Sequence, residues 1–138
     1  MLTKFMQLEP KDTTILLVED DKFLVDIFAT RLQSAGYNVI IANDGESGLK
    51  IATEKRPHLI LLDIIMPQMD GYEVLAKLQQ QDMTKNIPVI LLTNLGHEED
   101  VEKGLKSGAA GYLIKAQYTP SEVINKIKEV LEKYNSTL

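Results

Sequence analysis

Leu59-Ile60-Leu61-Leu62-Asp63-Ile64-Ile65-Met66-Pro67-Gln68-Met69-Asp70-Gly71 is the stretch that decides the fold. Its first four residues are apolar without alternation, the pattern of a strand buried on both faces in a parallel sheet. Asp63 then places a carboxylate where that strand meets solvent. This is the carboxyl edge of the sheet, where open α/β folds bind their ligands. Pro67 keeps the strand from continuing, and Asp70-Gly71 supplies a turn and a helix N-cap. Taken alone, Asp63 reads equally well as a loop cap, so the other strand ends must decide.

Outward from this stretch the same unit repeats. Upstream, Thr14-Ile15-Leu16-Leu17-Val18 is a second apolar run, and it ends in Glu19-Asp20-Asp21. Leu24, Ile27, Phe28, Leu32 and Ala35 follow at helical spacing, with Gly36 as a C-terminal stop. Tyr37 to Ala42 reads as a strand. Asn43-Asp44-Gly45-Glu46 resembles a capping box for a helix that carries Leu49 and Ala52 and ends before Pro57. Downstream of Asp63, a helix starting near Asp70 to Tyr72 turns Val74, Leu75 and Leu78 inward. Ile87 to Thr93 is the next strand, with Pro88 near its start, where a missing donor is tolerated.

The fourth helix, roughly His97 to Ser107, is weakly anchored. Val101 and Leu105 are its apolar residues, and Gly104 costs about 1 kcal/mol against alanine. Gly111 to Lys115 is a short fifth strand. The last helix opens on Thr119-Pro120-Ser121-Glu122, a capping box with proline at the first helical position. Val123, Ile124, Ile127, Val130, Leu131 and Tyr134 form its buried stripe. Five strands alternating with five helices imply an α/β fold, a single doubly wound parallel sheet with right-handed crossovers. Residues 1–12 are expected to be a flexible N-terminal arm, and residues 13–138 the folded domain.

The carboxyl edge of such a sheet collects Glu19, Asp20 and Asp21, then Asp63, Thr93 and Lys115. Two carboxylates about 5 Å apart repel by roughly 3 kcal/mol at an effective dielectric of 20. A divalent cation relieves that repulsion, and an all-oxygen site with room for water suits Mg²⁺. In that arrangement Asp63 is a carboxylate nucleophile, Thr93 donates to a phosphoryl oxygen and Lys115 supplies positive charge. The competing reading is a Lys115–Asp63 salt bridge with no ligand.

Composition narrows the classes further. The 138 residues fit one domain, and a formal charge of −5 argues against a nucleic-acid-binding face. The absence of cysteine excludes disulfides and thiolate metal sites. No apolar run approaches the roughly 20 residues that span a bilayer, so no membrane partner is expected. Met1 to Pro10 lacks the apolar core of a signal peptide, and a cytoplasmic location is expected.

From Thr14 to Tyr134 the chain resembles the receiver domain of two-component response regulators. The resemblance is carried by Ile15-Leu16-Leu17-Val18-Glu19-Asp20-Asp21, by Leu61 to Gly71, by Val89-Ile90-Leu91-Leu92-Thr93 and by Gly111-Tyr112-Leu113-Ile114-Lys115. It implies a flavodoxin-like sheet of order 2-1-3-4-5, an order that the pattern of elements does not itself give. It also implies that Asp63 is the phosphoacceptor, taking phosphate from a sensor histidine kinase or a histidine phosphotransfer protein. Mg²⁺ would be held by Asp20 and Asp63, by Glu19 through water and by the backbone carbonyl of Ile65. Thr93 and Lys115 would contact phosphate, with Tyr112 as the switch aromatic. Such a protein is not an enzyme beyond its own phosphorylation and slow dephosphorylation. It would signal to a protein partner through its fourth helix, fifth strand and fifth helix, a face that also allows a phosphorylation-dependent homodimer. With no further domain after Leu138, it is expected to be a stand-alone receiver or a piece of a larger regulator.

Several residues depart from the family pattern or carry little weight. Ala116 stands where the family has proline, so the Lys115–Ala116 bond is expected to be trans, with a rearranged loop after it. Asn94 replaces a small residue and is expected to narrow the cleft mouth or restrict the aromatic. Ile65 and Leu95 flank the position that a hydrolytic water must take, and as apolar residues they cannot orient it by hydrogen bonding, which predicts slow dephosphorylation. Asp21 reads as an N-cap, His58 as structural or solvated, and His97 as lacking a ligand partner. Met66 and Met69 read as loop packing.

Three rival readings are weaker. A haloacid-dehalogenase-type phosphohydrolase needs an acid where Ile65 stands. A flavodoxin-like FMN binder needs a donor-rich loop where Glu19-Asp20-Asp21 stands. A receiver that works without phosphorylation has no need of Asp63, Thr93 and Lys115 together.

Overall fold

The structure is a computed structural model that describes residues 8–135, with side chains through Tyr134. Five strands, β1 (Thr14–Val18), β2 (Asn38–Ala42), β3 (Leu59–Leu62), β4 (Val89–Thr93) and β5 (Gly111–Ile114), form one sheet of order β2-β1-β3-β4-β5. Every pairing is parallel, with Val18 level with both Ala42 and Leu62. The helices are α1 (Lys22–Ser34), α2 (Gly45–Lys55), α3 (Gly71–Gln79), α4 (Glu98–Lys106) and α5 (Pro120–Asn135). The expected fold is therefore present, in the order that the resemblance implied.

Strand alternation sorts the apolar side chains into two cores. Ile15, Leu17, Leu59, Leu61, Ile90, Leu92 and Leu113 meet the stripes of α1 and α5 on one face. Leu16, Val18, Ile60, Leu62 and Leu91 meet Ala52 of α2 and Val74, Leu75 and Leu78 of α3 on the other. β1, β3 and β4 are buried on both faces because cores lie on both sides of them.

The helix signals of the sequence are met with small shifts. Gly36 has φ +98°, and after it the Tyr37 N–H donates to the Leu32 carbonyl, closing α1. Asp44, one residue later than the box read from Asn43, caps α2 by accepting from the Ser47 N–H at 2.7 Å. Glu46 therefore lies in the first turn without closing a reciprocal box. The box of α5 does close: Thr119 Oγ1 accepts from the Glu122 N–H, and Glu122 Oε1 from the Thr119 N–H.

α4 departs from its expected anchoring. Leu105 is 49% exposed, and Val101 is half-buried outside both cores, so neither anchors the helix. Gly104 is its one buried residue. A Cβ there would come within 2.7 Å of Tyr112 Cδ2 and 2.8 Å of Leu91 Cδ1, so α4 approaches the sheet through a bare backbone.

Of the arm expected over residues 1–12, residues 1–7 lie outside the described residues. Pro10–Asp12 forms one 3₁₀ turn, tied down by Asn38 Nδ2 donating to the Lys11 carbonyl. No helix among the described residues is long and apolar enough to cross a membrane.

Candidate functional site

The sheet ladder itself aims the acidic residues. Just past the strands, the Glu19 N–H still donates to the Ala42 carbonyl and the Asp63 N–H to the Val18 carbonyl, each at 3.0 Å. Both carboxylates are thus fixed to the rigid edge of the sheet. Glu19, Asp20, Asp21, Asp63, Ile65, Thr93, Asn94 and Lys115 line one cleft of about 280 Å³ there, together with Leu24. The strand ends read from the sequence do converge.

Lys115 reaches the centre of the cleft from the start of a 3₁₀ turn, Lys115–Gln117, that follows β5. Its Nζ donates to Glu19 Oε1 at 2.7 Å and to Asp63 Oδ2 at 3.1 Å. The other oxygens are also engaged. Asp63 Oδ1 accepts from the Ile64 N–H at 2.7 Å, and Glu19 Oε2 from the Asp21 N–H at 3.1 Å. The pairing of Lys115 with Glu19 was not expected. The order of strand ends locates residues along an edge but does not say which way their side chains turn.

These contacts set the local electrostatics. Burial pushes the Glu19 carboxyl above its ordinary value, against the Lys115 hydrogen bond that draws it down, and the Asp63 charge adds to the upward push. For Lys115, burial favours the neutral amine. The hydrogen bond to Glu19 and the charge of Asp63 outweigh it and hold the ammonium above its usual range. Lys115 therefore stays charged at neutral pH.

One ammonium does not balance three carboxylates. Glu19, Asp20 and Asp63 each offer an oxygen within 4.8 Å of the others, and Asp20 is exposed at the mouth. The donor set is all oxygen, acidic and open to water on one side, which fits a magnesium ion. Asp21 stands apart from it: its Oδ1 caps α1 by accepting from the Phe23 and Leu24 N–H groups, as its position suggested. Ile65 is 58% exposed at the cleft rim.

Thr93 ends β4 with its side chain fully buried, and its Oγ1 accepts from the Leu95 N–H at 3.4 Å. The Leu95 carbonyl in turn accepts from the Tyr112 hydroxyl at 2.7 Å. Tyr112 is half-buried against the core containing Leu91, with its ring beside Gly104. Burial, and after it the neighbouring Tyr72 and the charges of Asp100 and Asp63, raise its phenol well above the ordinary value, so it remains a donor.

The remaining expectations resolve simply. The Lys115–Ala116 bond is trans. Asn94 is exposed on the cleft lining. His58 is structural: its Nδ1 accepts from the Thr14 N–H at 3.0 Å. Met66 is buried and Met69 partly buried in the core beneath the loop, so both pack it. Sequence reading passed over Tyr72, which touches α4 at Asp100 and Lys103; only its place directly after Asp70-Gly71 could have flagged it.

Comparison with known proteins bears on the chain as a whole. The family model described as response regulator receiver domain matches residues 15–128. The alkaline phosphatase synthesis transcriptional regulatory protein PhoP of Bacillus subtilis (strain 168) is 39% identical over 119 residues, covering 86% of this chain and 48% of that protein. The DNA-binding dual master transcriptional regulator RpaA of Synechocystis is 36% identical, covering 86% and 49%. The chain thus spans about half the length of the curated relatives it matches. Among solved structures, chemotaxis protein CheY4 of Vibrio cholerae aligns with a TM-score of 0.80 at 30% identity, covering 86% of this chain and 98% of that one. A CheY-like receiver domain protein from Methanospirillum hungatei JF-1 aligns at 0.84 and 30% identity, covering 91% and 98%.

Proposed function

The chain belongs to the response regulator receiver domain family, and from that premise we propose that Asp63 is its phosphoacceptor. The donor is a phosphohistidine on a sensor histidine kinase or a histidine phosphotransfer protein. An Asp63 oxygen attacks phosphorus, a P–O bond forms as the P–N bond breaks, and the leaving imidazole takes up a proton. Receiver domains generally use Mg²⁺ at an acidic pocket. Here Asp20, Asp63 and the Ile65 carbonyl would hold it, with Glu19 acting through water. When bound, the cation supplies positive charge against the phosphoryl oxygens.

The protein's own groups do the rest. Lys115, already beside Asp63, neutralises a phosphoryl oxygen, and Thr93 turns its hydroxyl to donate to another. As Thr93 moves, the loop after it follows. Tyr112, which grips the Leu95 carbonyl, carries the change to the face formed by α4, β5 and α5. The downstream partner is a protein docking on that face, or a second copy of the chain. A charge of −5 speaks against direct contact with nucleic acid or an anionic membrane. The location that fits such partners is cytoplasmic, and the only chemistry catalysed is self-phosphorylation and slow dephosphorylation.

The observation that carries this reading is the convergence of Glu19, Asp63, Thr93 and Lys115 from separate strand ends on one cleft. Incubation with acetyl phosphate and Mg²⁺ should add the mass of one phosphoryl group to the parent and none to Asp63→Asn. Equal modification of both, or of neither, would sink the assignment. The apolar Ile65 gives a second check, because Ile65→Asn should shorten the phosphoryl lifetime. A parent lifetime no longer than the variant's contradicts the role given to that position.

A further inference from the structure

Phosphoryl chemistry at Asp63 touches α3 as directly as it touches β4. The Gly71 N–H donates to the Ile64 carbonyl at 2.8 Å, and a Cβ on Gly71 would collide with the Asp63 carbonyl. The first turn of α3 therefore lies against the backbone of the phosphoacceptor itself. One residue on, the Tyr72 side chain leaves α3 and crosses to α4, where its hydroxyl donates to the Asp100 carbonyl at 3.0 Å. The Lys103 ammonium sits 4.2 Å from the centre of the same ring, within cation–π range. Tyr112 meets the same helix one turn on from Asp100, with its ring against Gly104.

These contacts matter because α4 has so few others. No side chain of α4 enters either apolar core among the described residues, and its N-cap, His97, makes no side-chain capping bond. What ties α4 to α3 is one hydrogen bond at Asp100, in its first turn, and one ring–cation contact at Lys103, in its last, both made by Tyr72. The helix position is thus set by groups that form or break with a small displacement, unlike a packed apolar stripe.

We propose that Tyr72 is a positioning residue for the switch, a link from the Asp63 loop through α3 to α4 and Tyr112 that runs beside the Thr93 route. Tyr112 lies packed against Gly104 of α4 in this structure, and Tyr72 fastens the same helix at Asp100, one turn earlier. Tyr112 also holds the Leu95 carbonyl, and the Leu95 N–H donates to Thr93 Oγ1, so contacts that keep Tyr112 in place steady the loop on which Thr93 must close and thereby favour the phosphorylated state. Loss of the Tyr72 hydroxyl then weakens binding of a phosphoryl mimic at Asp63, although Tyr72 is not among the cleft-lining residues.

The inference rests on Asp63 being the phosphoacceptor, and the test separates the two. Beryllofluoride with Mg²⁺ is titrated against the parent, Tyr72→Phe, Tyr112→Phe and the double variant, with binding read by ¹⁹F NMR. Each single variant should weaken binding by about fivefold, the worth of one hydrogen bond. The double variant should be weaker than the parent by much less than the product of the two, because both act through one element. Lys103→Met should show a smaller loss in the same direction, and it leaves both phenols intact should a tyrosine variant fold poorly. Multiplicative effects, or a Tyr72→Phe variant that binds like the parent, overturn the link while leaving the phosphoacceptor assignment standing. A parent that binds no beryllofluoride removes both. A Tyr72→Phe variant that only lowers thermal stability, with binding unchanged, marks ordinary packing and also overturns it.

Discussion

α4 and α5 flank the same edge strand and are held to it by opposite means. α5 buries Val123, Ile124, Ile127, Val130 and Leu131 in a continuous core and closes its first turn with a reciprocal cap. α4 buries only the backbone at Gly104 and leans on the hydroxyl and ring of Tyr72, while the Tyr112 hydroxyl holds the loop before it. Apolar packing is unforgiving of displacement, because a core has few intermediate arrangements. Hydrogen bonds to carbonyls and a single glycine contact can be exchanged at small cost. A face built from one helix of each kind has a fixed wall and a movable one, which is what a signalling surface needs.

The largest effect that bears on this contrast is in the apolar stripes. Ile127→Ala should destabilise the fold by about 2–5 kcal/mol, whereas Leu105→Ala on α4 should fall within about 0.5 kcal/mol of the parent. Urea midpoints measure both, and similar losses would mean that α4 is packed after all.

Gly104 sharpens the point. On propensity alone Gly104→Ala should stabilise a helix by about 1 kcal/mol. The new methyl would meet Tyr112 and Leu91, however, so a net loss of about 1–3 kcal/mol is expected. A gain in stability would show that α4 can lift from the sheet at no cost.

The smallest effect is in the caps. Thr119→Ala should cost about 1 kcal/mol, while His97→Ala, whose side chain makes no capping bond, should cost close to nothing. A loss at His97 equal to that at Thr119 would dissolve the contrast between the two helix starts.

The sequence conveyed the two helices unequally for the same physical reason. The stripe and box of α5 are local periodicities, written every three to four residues, and they are found in the structure where they were read. The central strands were legible because residues buried on both faces leave unbroken apolar runs. Val101 and Leu105 suggested anchors for α4, but helical spacing cannot say which residue a core lies opposite, and here it lies opposite Gly104 instead. Its real contacts come from Tyr72 and from Tyr112 with its ring against Gly104, pairings distant in sequence that no local pattern encodes. In the cleft, strand ends indicated which residues gather. They could not indicate that Lys115 would bridge Glu19 as well as Asp63, since that depends on rotamers.

Amide hydrogen exchange, followed residue by residue with and without beryllofluoride and Mg²⁺, tests the division into fixed and movable walls most directly. In the free protein α4 should exchange far faster than α5, and the mimic should change protection in α4 and the loop before it while leaving α5 as it was. Equal protection of the two helices, or a response confined to α5, would contradict it.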